Sequence, residues 1–211
     1  MSDIFREIDE ELRRDNLLAL WARYARHIIA VVVLVLVAAG GVAAWRSHQL
    51  SLRQAESARF ASGVALARAG KTADAAMVFG TIAKDGGGYG VLASFEDAAL
   101  LKKSGDPKKA AAAYDHIAEE SSVSPVFRGL ATVLSVMQND TDPKTTIARL
   151  EPLTAADNPW RPTALELSAA AELKLRDNKA ALSTYKTLAD DLAAPRDLRA
   201  RAAEMVAALA P

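Results

Sequence analysis

The stretch ADAAMVF, residues 73–79, sets a small residue, Ala75, four positions before a large one, Phe79. On an α-helix these two share a face one turn apart, so a neighbouring helix can approach at the alanine while the ring fills the groove beside it. KAAAAY repeats the pattern 35 residues on with Ala110 and Tyr114, and KAALSTY repeats it a further 71 on with Ala181 and Tyr185. Between them TTIARL supplies Thr146 and Leu150 as a degraded copy.

A period near 34 residues is that of the tetratricopeptide helix–turn–helix repeat. Gly63 stands twelve residues before Ala75, where such a repeat wants a small residue on its first helix. Gly70 and Gly105 fall between paired helices, where a glycine can end a helix in the left-handed conformation. Asp106, Ser124 and Asp142 each precede a proline and read as N-caps with proline at the first helical position. Helices are expected at 46–69, 72–84, 90–104, 107–121, 124–138, 143–153, 161–176, 178–192 and 196–210, the first of them open to continuing from the apolar run before it. The last, RDLRARAAEMVAALA, reads as a terminal cap, which an array needs to cover its open end. The alanine- and leucine-rich composition agrees with an all-α fold.

Upstream lies RHIIAVVVLVLVAAGGVAAWR, residues 26–46. Ile28 to Trp45 is uncharged and 18 residues long, which at the helical rise spans roughly 27 Å, close to the hydrocarbon thickness of a bilayer. Ten of these residues are Ile, Leu or Val, each favouring insertion by about 0.3–0.6 kcal/mol near the helix centre. Trp21 and Tyr24 before the run and Trp45 at its end suit the headgroup region. A soluble surface helix would need a polar stripe, and there is none, which leaves a wholly buried core helix as the weaker alternative to a membrane segment. A cleaved signal peptide is the stronger alternative, because GGVAAW offers small residues of the required kind. The preceding SDIFREIDEELRRD, however, is too long and too acidic for an ordinary n-region, so a retained anchor with boundaries Ile28 and Trp45 is the expectation.

Arg13, Arg14, Arg23 and Arg26 before the span face Arg46, Arg53 and Arg59 after it, a weak bias toward a cytoplasmic N-terminus. The short tail and the long C-terminal part point the same way. Residues 1–27 then form a cytoplasmic tail, amphipathic through Phe5, Ile8 and Leu12, with 28–45 crossing the membrane and 46–211 beyond it. Ala39 with Ala43, and Gly40 with Ala44, have the spacing that lets membrane helices pack closely.

Catalytic and cofactor signals fail on inspection. Gly70-Lys71-Thr72 ends like a phosphate-binding loop, but Ala65 stands where the first glycine is needed, and the context is helical. Gly86 to Gly90 reads as a loop joining repeat units. His27, His48 and His116 lack partners at metal-site spacing, the first two reading as interfacial and the third as a surface residue. Glu119-Glu120 and Asp190-Asp191 are neighbours along a helix and do not face each other. Zero formal net charge excludes a broad basic field for nucleic acid, and the absence of cysteine excludes disulfides and thiolate chemistry. The expectation is a protein-interaction module with no catalytic, cofactor or metal site.

SDIFREIDEELRRDNLLALWARYAR, followed at once by one apolar span and a degenerate repeat region, resembles the YfgM-like family of bacterial envelope proteins, ancillary subunits of the Sec translocon. The resemblance covers essentially the whole chain, and its most specific parts are IDEELRRD and LWARYAR. It implies an inner-membrane protein with its N-terminus in the cytoplasm and a periplasmic repeat domain. It further implies association with the SecYEG channel and with a membrane-anchored periplasmic chaperone of the prolyl-isomerase type, handing on newly exported proteins. A cell-envelope biogenesis scaffold unconnected with export is the alternative.

Overall fold

The computed structural model describes residues 2–138 and 142–210, with side chains placed from residue 21 onward apart from 22, 28 and 32. Among the described residues every regular element is helical. These are α1 (Ser2–Arg68), α2 (Thr72–Asp85), α3 (Gly90–Lys103), α4 (Pro107–Glu119), α5 (Pro125–Gln138), α6 (Pro143–Leu150), a 3-10 turn (Glu151–Thr154), α7 (Arg161–Lys174), α8 (Asn178–Asp190) and α9 (Arg196–Leu209). The chain divides into two units, Met1–Ala55 and Glu56–Pro211.

The first unit is the N-terminal part of α1. Its most apolar 18-residue window has a mean hydropathy of 2.7 and is 0% buried, so the helix is long and apolar enough to cross a membrane. A core helix would be covered by its own protein, and this one is not; Leu34, Leu36 and Val37 all lie open. Trp21, Tyr24 and Trp45 are exposed too. A Cβ on Gly40 would meet no atom within 4 Å beyond its own helix backbone, and Ala44 is exposed. The backbone of Ile28 lies within α1, while its side chain and those of Phe5, Ile8 and Leu12 lie outside the described residues.

The second unit keeps a strict register. Its α3, α5, α7 and α9 begin at Gly90, Pro125, Arg161 and Arg196, in steps of 35, 36 and 35; α2, α4, α6 and α8 begin at Thr72, Pro107, Pro143 and Asn178 in the same steps. Each of α3, α5, α7 and α9 is 14 residues long. One step back from Gly90 is Ala55, the last residue before the second unit, so the final turns of α1 are the first helix of the first hairpin. Four helix hairpins follow one another, and α9 repeats the first-helix position of a fifth.

The local chemistry repeats with the helices. Gly70 (φ 76°), Gly105 (φ 86°) and Arg176 (φ 61°) hold the same place between paired helices. In each case the left-handed residue's N–H bonds back three residues and the next N–H bonds back five: Lys71 to Leu66, Asp106 to Leu101, Asp177 to Glu172. One residue further on, the carboxylates of Asp106, Asp142 and Asp177 accept from the backbone N–H of Lys109, Thr145 and Ala180, satisfying donors the helix cannot. Ser124 sits just before α5, and its carbonyl accepts from the N–H of Arg128.

One expected helix is shorter than its apolar pattern. The segment 143–153 stops being α-helical at Leu150 and tightens into the 3-10 turn. Pro152 has no N–H to bond back along the helix, and its ring would crowd the carbonyl of Ala148. The remaining helix ends fall within two residues of those expected, apart from the start of the first, which is continuous with the apolar run.

Candidate interaction surface

The recurring small and large residues form successive packing junctions. Ala75, Ala110 and Ala181 are fully buried, and Phe79, Tyr114 and Tyr185 are buried four residues later. The degraded copy does the same with Thr146 and Leu150. Gly63 meets Phe79, and a Cβ on it would lie 2.7 Å from Cε1 of that ring. Ala98, Val133 and Ala169, at the register positions of Gly63, are buried as well. Gly63, Ala75 and Phe79 therefore belong to one junction, Ala110 and Tyr114 to a second, and Ala181 and Tyr185 to another. They hold the array together and converge on no single site.

Surface apolar residues follow the same register. Leu92 on α3 and Phe127 on α5 are 35 residues apart and equally exposed, at 38% and 39%. Phe127 lies against Phe95 with ring centroids 6.2 Å apart, and Phe95 lies 5.9 Å from the Tyr114 ring. Val126 adds to this apolar face at half exposure. The equivalent positions in the first and fourth hairpins are Ser57 and Thr163, and Leu198 on α9 is buried, so this exposed apolar face belongs to the two middle hairpins. Separately, α3, α4, the end of α2 and the loops between them form an open cavity of about 340 Å³, lined in part by Gly86, Ser94, His116, Glu120 and Val123. Its walls mix polar and apolar groups. His116, expected at the surface, is exposed and lines the cavity from its edge.

Polar side chains fasten the third and fourth hairpins. Arg149 on α6 donates to Asp115 on α4 and, at 3.2 Å, to the buried Ser135 hydroxyl on α5, joining three helices. Trp160 Nε1 donates to the Val126 carbonyl at 2.8 Å, and its ring sits where a Cβ on Gly129 would come within 2.6 Å. Arg161 bridges the Thr154 carbonyl and Asp191, the latter at 3.0 Å. The Ala193 N–H and then the Arg161 guanidinium hold the Asp191 carboxyl below its ordinary range. Burial, with the nearby negative charge of Glu96, raises the Tyr114 hydroxyl; burial above all raises Tyr185 and the Glu172 carboxyl. These shifted groups lie inside hairpins, and the arrangement they make is structural.

Gly70-Lys71-Thr72 forms the turn between α1 and α2, with Lys71 at the N-cap of α2. His27 and His48 are exposed on α1. Among the described residues no three His, Asp or Glu side chains come together as metal ligands would. Comparison with protein families matches residues 19–151 to the tetratricopeptide repeat-like domain. That match takes in residues 19–27 just before the apolar span, the span itself and the first three hairpins. None of the curated proteins compared matches the chain.

Proposed function

The chain belongs to the tetratricopeptide repeat-like domain family, and from that premise we propose a membrane-anchored protein-interaction subunit that works beside the Sec translocon. Helical-repeat arrays are interaction modules, offering an extended surface rather than a catalytic pocket. The observation carrying the reading is the joining, in one chain, of an exposed membrane-length apolar helix to an array whose middle hairpins expose Leu92, Val126 and Phe127. Half-exposed aromatic and aliphatic side chains on rigid helices are suited to anchor a partner segment.

In this reading residues 28–45 are retained as the anchor, the N-terminal tail is cytoplasmic and the repeat domain is periplasmic in the bacterial inner membrane. The likeness of IDEELRRD and LWARYAR to the YfgM-like family supports SecYEG as the membrane partner. The same likeness supports a membrane-anchored chaperone of the prolyl-isomerase type as recipient of newly exported chains. A photo-cross-linking residue at Phe127 or Leu92 of the full-length protein tests this. Recovery of a translocon subunit or a periplasmic chaperone is expected, and recovery of cytosolic proteins alone would sink the proposal. Replacing LWARYAR and the span with an unrelated anchor separates it from an envelope scaffold independent of export, since only the export role predicts weakened channel association.

A further inference from the structure

A second open surface lies at the N-terminal edge of the array. Between the last turns of α1 and α2 runs a groove of about 610 Å³ lined by Arg59, Leu66, Met77, Val78, Thr81 and Ile82. The register shows what such a groove holds elsewhere. In the second hairpin Ser94, His116 and Ile117 take the places of Arg59, Thr81 and Ile82, and there they line one cavity with Ala83 and Gly86, at the end of α2. In the third hairpin Arg149 takes the place of Val78, and it pairs with Asp115 on α4. This side of a hairpin is thus where the second helix of the preceding hairpin lies. The first hairpin has none before it, because α1 runs unbroken from Ser2.

The charges at the edge identify an occupant. At the third hairpin an arginine of the groove meets an aspartate of the entering helix. The first hairpin has Val78 and Gly80 at those two register positions but carries charges of its own, Arg59 and Asp74 on the groove walls and Asp85 at the end of α2. Arg59 is only loosely held within its own chain, 3.7 Å from Asp85, with the two side chains 68% and 61% exposed. Met77, 67% exposed, projects from α2 as an adaptable apolar anchor. We propose that the missing helix is supplied by a second copy of this chain: α2 of each copy docks in the α1–α2 groove of the other, a two-fold contact in which each Arg59 faces an aspartate across the interface. Anchoring of both copies in one membrane would raise their effective concentration and favour the contact.

The natural chain has no cysteine, so single cysteines report without background. The test uses the full-length protein in its membrane, carrying Thr81→Cys or, as an exposed control far along the array, Leu192→Cys, each under mild oxidation. The expected result is a disulfide-linked dimer through residue 81 and little through residue 192. Adding Met77→Lys, which forces a charge into the contact, lowers the yield at residue 81 by about tenfold or more. Met77 is exposed within its own chain, so the array should keep its helical circular dichroism. No dimer at residue 81, equal dimer at residue 192, indifference to Met77→Lys, or capture of a different polypeptide at residue 81 would each overturn the proposal.

Discussion

Substituting Gly63 by alanine tests the packing register at its tightest point. The new Cβ would stand 2.7 Å from Cε1, 3.0 Å from Cζ and 3.1 Å from Cδ1 of Phe79. That ring is fully buried and already rests against Phe60, with centroids 5.5 Å apart, so it has little room to retreat. Overpacking of this kind costs about 1–3 kcal/mol, while glycine to alanine inside a helix gains about 0.5–1 kcal/mol. Gly80 on α2 is the internal control, because a Cβ there meets nothing within 4 Å and keeps only the gain. The two variants should therefore differ by about 1–3 kcal/mol, with Gly80→Ala the more stable. Hydrogen exchange of α2 amides in the full-length protein reads this as an approximately 5- to 150-fold difference in protection. Phe79→Leu should relieve the clash and restore much of the loss in the Gly63→Ala background. Equal protection in the two single variants would refute the claim that Gly63 is small because Phe79 occupies its space.

Two further predictions concern the fourth hairpin. Arg176 does the work of a turn glycine at φ 61°, so Arg176→Gly should stabilise the α7–α8 hairpin by about 1 kcal/mol, visible as slower amide exchange there; a loss of protection would contradict it. Burial raises the Glu172 carboxyl above its ordinary 4.5, an effect the Thr184 hydroxyl partly offsets. The native state therefore takes up its proton more readily than the unfolded chain, and ionisation weakens the fold above the native pKa. That penalty disappears as pH falls through the native value and below the unfolded one. Glu172→Gln should raise stability near pH 7 and lose its advantage near pH 4, as followed by denaturant unfolding at the two pH values; a pH-independent effect would contradict the burial argument.

Much of the repeat register can be read from residues alone because it rests on local chemistry. A small residue one turn before a large one, a glycine at a helix end and an aspartate before a proline each have a short-range cause, and recurrence near 35 residues ties them together. The features that escape the sequence depend on partners far along the chain. Arg176 gives no sign of the left-handed conformation it adopts, which the surrounding hairpin imposes. Asp177 caps α8 as Asp106 caps α4, but without the following proline it does not stand out. Pro152 is visible in the sequence, yet the apolar spacing through Leu153 hides the end of α6. Trp160 and Gly129 are 31 residues apart, and only the folded chain sets one in the notch left by the other. The same holds for the surface: which apolar side chains remain uncovered, Leu92 and Phe127 above all, depends on how neighbouring helices pack.

The most direct measurement of the central claim is the side of the membrane on which the repeat domain works. Alkaline phosphatase or a green fluorescent protein fused after Pro211 reports opposite sides, the first active only outside the cytoplasm and the second fluorescent only when it stays in the cytoplasm and dark when exported through the Sec channel. The account predicts an active phosphatase and a dark fluorescent fusion, with the protein still membrane-bound and uncleaved. A fluorescent fusion with an inactive phosphatase would put the domain in the cytoplasm and contradict the export role.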